Sequence, residues 1–215
     1  TIGLVIANVD PQIHALMKID PKYKSIGILG ARTGAGPHIF AADEAVKATN
    51  TEIVTIELPR DTKGGAGHGS LIVFGAVDVS DARRAVEVAL SELDRTFGDV
   101  YANDAGHLEF QYTARASYAL NKAFGAPLGK SFGITVGAPA AIGVVLADTA
   151  VKASTIDVIG YASPAAGTSY SNEVISFFSG DSGAVRQAII AAREVGRGLL
   201  GALGAYPGSV TTPYI

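Results

Sequence analysis

The chain repeats itself, and the repeat constrains the fold more than any single motif. Residues 40–59, FAADEAVKATNTEIVTIELP, align with residues 146–164, LADTAVKASTIDVIGYASP. Ala42, Asp43, Ala45, Val46, Lys47 and Ala48 fall on Ala147, Asp148, Ala150, Val151, Lys152 and Ala153, and Pro59 falls on Pro164 without a gap. Upstream, KSIGI at 24–28 matches KSFGI at 130–134. Downstream, Gly75 matches Gly180. After a two-residue slip, Asp78, Arg83, Ala85 and Val86 match Asp181, Arg186, Ala188 and Ile189. Two copies in one chain mean a tandem duplication and not a solenoid. Copy one is expected over residues 1–105 and copy two over 106–215, joined near 97–106.

Each copy predicts the same order of elements. A strand (IGLVIANV; HLEFQYTA) leads to a short helix (PQIHALMK; SYALNKAF) and a second strand (SIGILG; SFGITVG). A helix follows, with Ile39, Ala42 and Val46 at the spacing of a buried face. Two strands separated by a long loop come next, and a longer helix closes the copy. Its apolar stripe reads Ala82, Val86, Ala89, Leu93 and Phe97 in copy one, and Val185, Ile189, Ala192, Val195 and Leu199 in copy two. Ser80 and Asp181 are expected N-caps. Because two strands of each copy are joined without a helix, the expected class is α+β, with a small, mainly antiparallel sheet flanked by helices in each copy.

Composition narrows the function. With 48% hydrophobic and 17% charged residues, the chain can bury a core. A net charge of −3 and no basic run argue against nucleic-acid binding. The absence of cysteine excludes disulfides, thiolate nucleophiles and cysteine metal sites. The longest uncharged apolar run, 131–147, is broken by Pro139 and falls short of the roughly 20 residues a membrane span needs. The sequence starts at Thr1 and not at Met, which leaves a preceding segment open.

The catalytic motifs are weak. FGAPLGKS at 124–131 nearly spells a phosphate-binding loop, but Phe124 stands where the first glycine belongs. The stretch also leads into a strand, whereas a phosphate loop opens a helix. GARTGAGPH at 30–38 joins a strand to a helix, the context of an anion nest. It lacks a third glycine at Ile39 and reads first as a turn with a helix entry. Arg32, Thr33 and His38 are its candidate small-ligand contacts. His14, His38, His68 and His107 form no metal-spaced pair, and no nucleophile elbow is present. No catalytic residue, cofactor or metal is assigned. Asp43 and Lys47, like Asp148 and Lys152, are i,i+4 pairs worth only about 0.2–0.5 kcal/mol each on a helix. Both copies keep the lysine beside small alanines, a face suited to packing against another protein.

Residues 41–57 (AADEAVKATNTEIVTIE), 146–161 (LADTAVKASTIDVIGY) and 180–194 (GDSGAVRQAIIAARE) resemble the bacterial microcompartment shell-protein family, over nearly the whole chain and twice. The resemblance is to the tandem-domain type from propanediol- and ethanol-utilising compartments, in which each domain is circularly permuted. It implies a non-enzymatic homotrimer whose six domains imitate a hexamer, closed by head-to-tail contacts. Such discs tile edge to edge with other shell proteins around encapsulated enzymes, in a cytoplasmic compartment, with no membrane or nucleic acid involved. By the same resemblance Lys47 and Lys152 sit at the tile edge, and two loops face the centre of the disc. The first offers Arg60, Asp61, Thr62, Lys63, Gly64, Gly65, Gly67, His68 and Ser70. The second offers Ser163, Thr168, Ser169, Tyr170, Ser171 and Asn172. Hydroxyls and backbone groups there suit an uncharged diol such as 1,2-propanediol, or glycerol. Two rival readings stand beside this one: a small-molecule-binding regulatory domain, and a transferase using the loop at 30–38.

Overall fold

A computed structural model describes residues 1–32, 34–59, 69–163 and 172–215. The chain runs β1 (Ile2–Ile6), α1 (Pro11–Met17), β2 (Ser25–Ala31), α2 (Ala35–Ala48), β3 (Glu52–Glu57), β4 (Ser70–Ala76) and α3 (Val79–Thr96). It continues with β5 (Asp99–Asn103), β6 (Gly106–Thr113), α4 (Tyr118–Phe124), β7 (Ser131–Ala138), α5 (Ala140–Ala153), β8 (Asp157–Ala162), β9 (Val174–Gly180), α6 (Ser182–Gly201) and β10 (Gly208–Ser209). These elements gather into two compact units. One comprises Thr1–Leu93 with Ser117–Ala123; the other comprises Asp94–Ala116 with Phe124–Ile215.

The first unit holds a four-stranded sheet of order β1-β2-β4-β3, and the second a six-stranded sheet of order β10-β5-β6-β7-β9-β8. Every described pairing is antiparallel. The repeat thus yields two α+β sheets of one design. It extends to a defect: the β3–β4 register shifts between Ile53 and Thr55, and the β8–β9 register shifts at the matching place, between Val158 and Gly160.

Both inner strands are apolar runs because both of their faces are covered. Every residue of β7 is buried. On one face, Phe110, Leu146, Phe178, Val185, Ile189 and Ala192 form the core under α5 and α6. On the other, Phe132 stacks with Phe124 and Phe177. In the first unit Ile26 and Val73 join Val9, Ile19 and Tyr23 into the corresponding second layer.

Four details depart from the pattern read in the sequence. Phe97, expected on the α3 stripe, follows the end of that helix and is exposed. The α6 stripe drifts: Val195 and Leu199 are exposed, and Gly196 and Leu200 are buried in their place. A Cβ on Gly196 would lie 2.7 Å from Leu146 Cδ2, so the glycine leaves the space that Leu146 of α5 fills. Helix α3 starts at Val79, which puts Ser80 inside the first turn; Asp181 is the N-cap of α6 but makes no side-chain capping bond. The stretch expected as a joint contains β5, a strand of the second sheet. Gly98 (φ +80) turns the chain into it, and a Cβ there would overlap the Phe110 carbonyl oxygen.

Asp99, fully buried at the start of β5, organises the last residues of the second unit. Its Oδ2 accepts from Arg193 Nη1 at 2.6 Å, and its Oδ1 accepts from the N–H groups of Tyr214 at 2.7 Å and Ile215 at 3.3 Å. Tyr214 Oη donates to the Tyr112 carbonyl at 2.7 Å. Thr211 Oγ1 donates to Gly98 O at 2.7 Å and accepts from Val100 N.

Candidate assembly face and pore loops

Helix α2 carries five alanines among its fourteen residues, which favour a helix and let another backbone come close. Asp43 follows Ile39 by one helical turn, so it lies on the apolar face and is fully buried. Its carboxylate has a specific partner. Ser117 N–H donates to both oxygens at 2.9 and 3.1 Å, and the N–H groups of Ala119 and Leu120 donate to Oδ1 at 3.1 Å each. These belong to the start of α4, whose first N–H groups have no acceptor within their own helix. A carboxylate there also meets the positive end of the helix dipole. Burial pushes the Asp43 carboxyl up, and the Lys47 ammonium and the donated N–H groups oppose that push. Asp43 is therefore a cap for a helix 74 residues further along the chain, a role that the i,i+4 spacing alone does not reveal.

The two lysines expected at the tile edge differ in setting. Lys47 Nζ sits 2.9 Å from both Asp43 and Glu44, with its side chain 24% exposed. Lys152 Nζ pairs with Asp148 at 2.7 Å, and these side chains are 73% and 57% exposed. The same residues in the same register thus make a filled seat on α2 and an open one on α5.

Most of the expected pore residues, Arg60, Asp61, Thr62, Lys63, Gly64, Gly65, Gly67, His68, Thr168, Ser169, Tyr170 and Ser171, lie outside the described residues, as does Thr33. The anchors of both loops are described. Gly69 N–H donates to Pro59 O at 2.9 Å and closes the base of the first loop. Ser70 is buried at the start of β4, opposite Ala31, and Ser163 is exposed. Asn172 Oδ1 accepts from Ala140 N–H at 3.2 Å, which ties the end of the second loop to the first residue of α5. Of the candidate ligand contacts at 30–38, Arg32 is exposed. His38 is buried, with its ring nitrogens 2.8 Å from Thr1 Oγ1 and 2.6 Å from Gly34 O.

One cluster was not legible in the sequence. His107 Nε2 on β6 lies 3.2 Å from Glu173 Oε2 and 3.6 Å from Glu109 Oε1. No local spacing signals it, because Glu173 is 66 residues from His107. The Glu173 hydrogen bond is the main cause that raises the His107 pKa above the usual imidazole value. A raised folded-state value means that this contribution to stability is complete below about pH 6.5 and is lost as pH rises through the folded pKa. Glu173→Gln is expected to move the His107 midpoint down in an NMR titration; an unmoved midpoint would separate the pair.

The sequence profile of the BMC domain matches residues 25–104 and again residues 131–206. The chain belongs to the BMC domain family. Among its BMC relatives, the bacterial microcompartment shell protein PduB of Citrobacter freundii is 68% identical over 215 residues, covering 100% of this chain and 80% of the relative. The crystal structure of a trimeric bacterial microcompartment shell protein PduB superposes with a TM-score of 0.90 at 52% identity, over 99% of this chain and 94% of that one. That of EtuB from Clostridium kluyveri gives 0.91 at 56% identity, over 99% and 93%. Both PduB proteins are bacterial microcompartment shell proteins. No helix among the described residues is long and apolar enough to cross a membrane.

Proposed function

We propose that this chain is a tile of a bacterial microcompartment shell, built from three copies that close head to tail into a disc of six BMC domains. The observation that carries the reading is the likeness to the trimeric PduB structure over 99% of the chain. Two BMC domains per chain give six per trimer. The discs meet other shell proteins at their edges, where Lys47 and Lys152 make the contact, and the shell encloses metabolic enzymes.

The same reading gives the tile a transport role. The loops at 60–68 and 164–171 surround the disc centre and pass small polar metabolites such as 1,2-propanediol or glycerol. Passage needs a ligand held strongly enough to enter and weakly enough to leave.

Light scattering on the purified protein is expected to give the mass of three chains, and electron microscopy of concentrated samples to show extended sheets. A stable monomer that never tiles would end the proposal. Lys152→Gln is expected to lose the sheets at concentrations where the three-chain particle still persists. Unchanged sheets would remove Lys152 from the edge.

A further inference from the structure

The repeat aligns not only the sheets but also the helices that seat on them. Ile6 pairs with Ile26 as Thr113 pairs with Phe132. Val9 N–H donates to Lys24 O as Ala116 N–H donates to Lys130 O. Both short helices end in a left-handed residue, Lys18 and Gly125. In this register Asp10 corresponds to Ser117, Gln12 to Ala119 and Ile13 to Leu120. On the receiving helices Ile39, Phe40, Asp43 and Glu44 correspond to Val144, Val145, Asp148 and Thr149.

One member of each pair is covered and the other is bare. Ile39, Phe40, Asp43, Ala119 and Leu120 are all buried where α4 seats on α2. Val144, Val145 and Val151 on α5 are exposed, as are Ile13 and Leu16 on α1, and α1 buries no residue at all. The chain therefore carries an unfilled receiving helix and an unused seating helix, each the repeat partner of one already joined. A second copy of this chain supplies both complements.

The charges fit that occupant. On α2 the seat holds two carboxylates, Asp43 and Glu44, around one ammonium, Lys47. On α5 Glu44 has become Thr149, which removes a carboxylate. On α1 Ser117 has become Asp10, which restores one. The Asp10 carboxylate caps its own helix by accepting from Gln12 N–H at 2.8 Å, so Asp148 cannot take that donor as Asp43 takes Ala119 N–H. Asp148 must rely on Lys152 instead, and Lys152 is exposed enough to reach a second acceptor.

We propose that α1 of one copy seats on α5 of the next as α4 seats on α2, with Lys152 shared between Asp148 and Asp10 of the partner subunit. The proposal rests on the trimeric reading above and goes beyond it by naming the contact that closes the ring. Seam and edge roles for Lys152 are compatible, because Lys47 keeps 24% of its side chain exposed with its own seat filled. The chain–chain seam then depends on an ion triad, whereas the α2–α4 seat rests on main-chain donors to a buried carboxylate.

The test is a dilution series of the full chain followed by sedimentation and light scattering. Lys152→Ala leaves two carboxylates facing each other and is expected to raise the dissociation constant of the trimer at least about tenfold. Adding Asp10→Ser to that variant removes one of the two and is expected to return most of the lost affinity. Circular dichroism confirms that each variant is folded. If the wild type is trimeric and Lys152→Ala dissociates no more readily, or if Asp10→Ser gives no rescue, the triad is wrong and the tile reading survives. A wild type that never forms trimers overturns both.

Discussion

Asp43→Ala is expected to destabilise the protein by about 3–5 kcal/mol in urea unfolding, because a fully buried carboxylate that accepts from several main-chain donors is removed. Three main-chain N–H groups at the start of α4 lose their acceptor, and Lys47 loses the carboxylate 2.9 Å away. Each buried donor left unsatisfied carries its own desolvation penalty. The internal control is its repeat partner. In the single chain Asp148 is 57% exposed and makes a surface pair with Lys152, so at dilutions where the trimer has dissociated Asp148→Ala is expected to change the unfolding free energy by less than about 1 kcal/mol. Equal losses at the two positions would show that the buried seat gives Asp43 no special role.

Asp99→Ala is expected to be comparably severe, again about 3–5 kcal/mol. Arg193, only 15% exposed, would keep its charge without the carboxylate 2.6 Å away. The N–H groups of Tyr214 and Ile215 would lose their acceptor, freeing the last residues from β5. Faster hydrogen exchange over residues 208–215 should accompany the loss. Because the two residues act as one unit, Asp99→Ala combined with Arg193→Met should cost clearly less than the sum of the single changes. An additive result would mean that the pair contributes nothing as a pair.

The outcome at Asp43 shows which parts of this protein are legible in its sequence. The order of the main elements follows from the repeat together with strand and helix periodicity, since both signals lie within a window of about 18 residues. What escaped depends on residues far apart in the chain. Asp43 needs α4, and His107 needs Glu173. Strand β5 needs β6 on one side and a two-residue β10 on the other. The misplaced stripe on α6 has a different cause. An apolar count passes over glycine, yet Gly196 is a core position because it lacks a side chain and Leu146 takes the space. Ser80 fell inside α3 for a third reason: a capping residue type marks a helix start only to within a residue or two.

The paired register shifts in β3 and β8 decide which side chains reach the end of each strand. A bulge adds one residue to one strand and turns over the faces of everything beyond it. Removing it from only one copy would present the opposite side chains at the strand end that feeds the loop of that copy. Both copies carry it at matching positions, so the strand ends of both copies present corresponding faces. The sequences beyond each bulge differ, IELP at 56–59 against YASP at 161–164, while the register shift that precedes them is the same. The bulge thus fixes which side chains each strand end presents, and either strand end can change its residues without altering the register of the other.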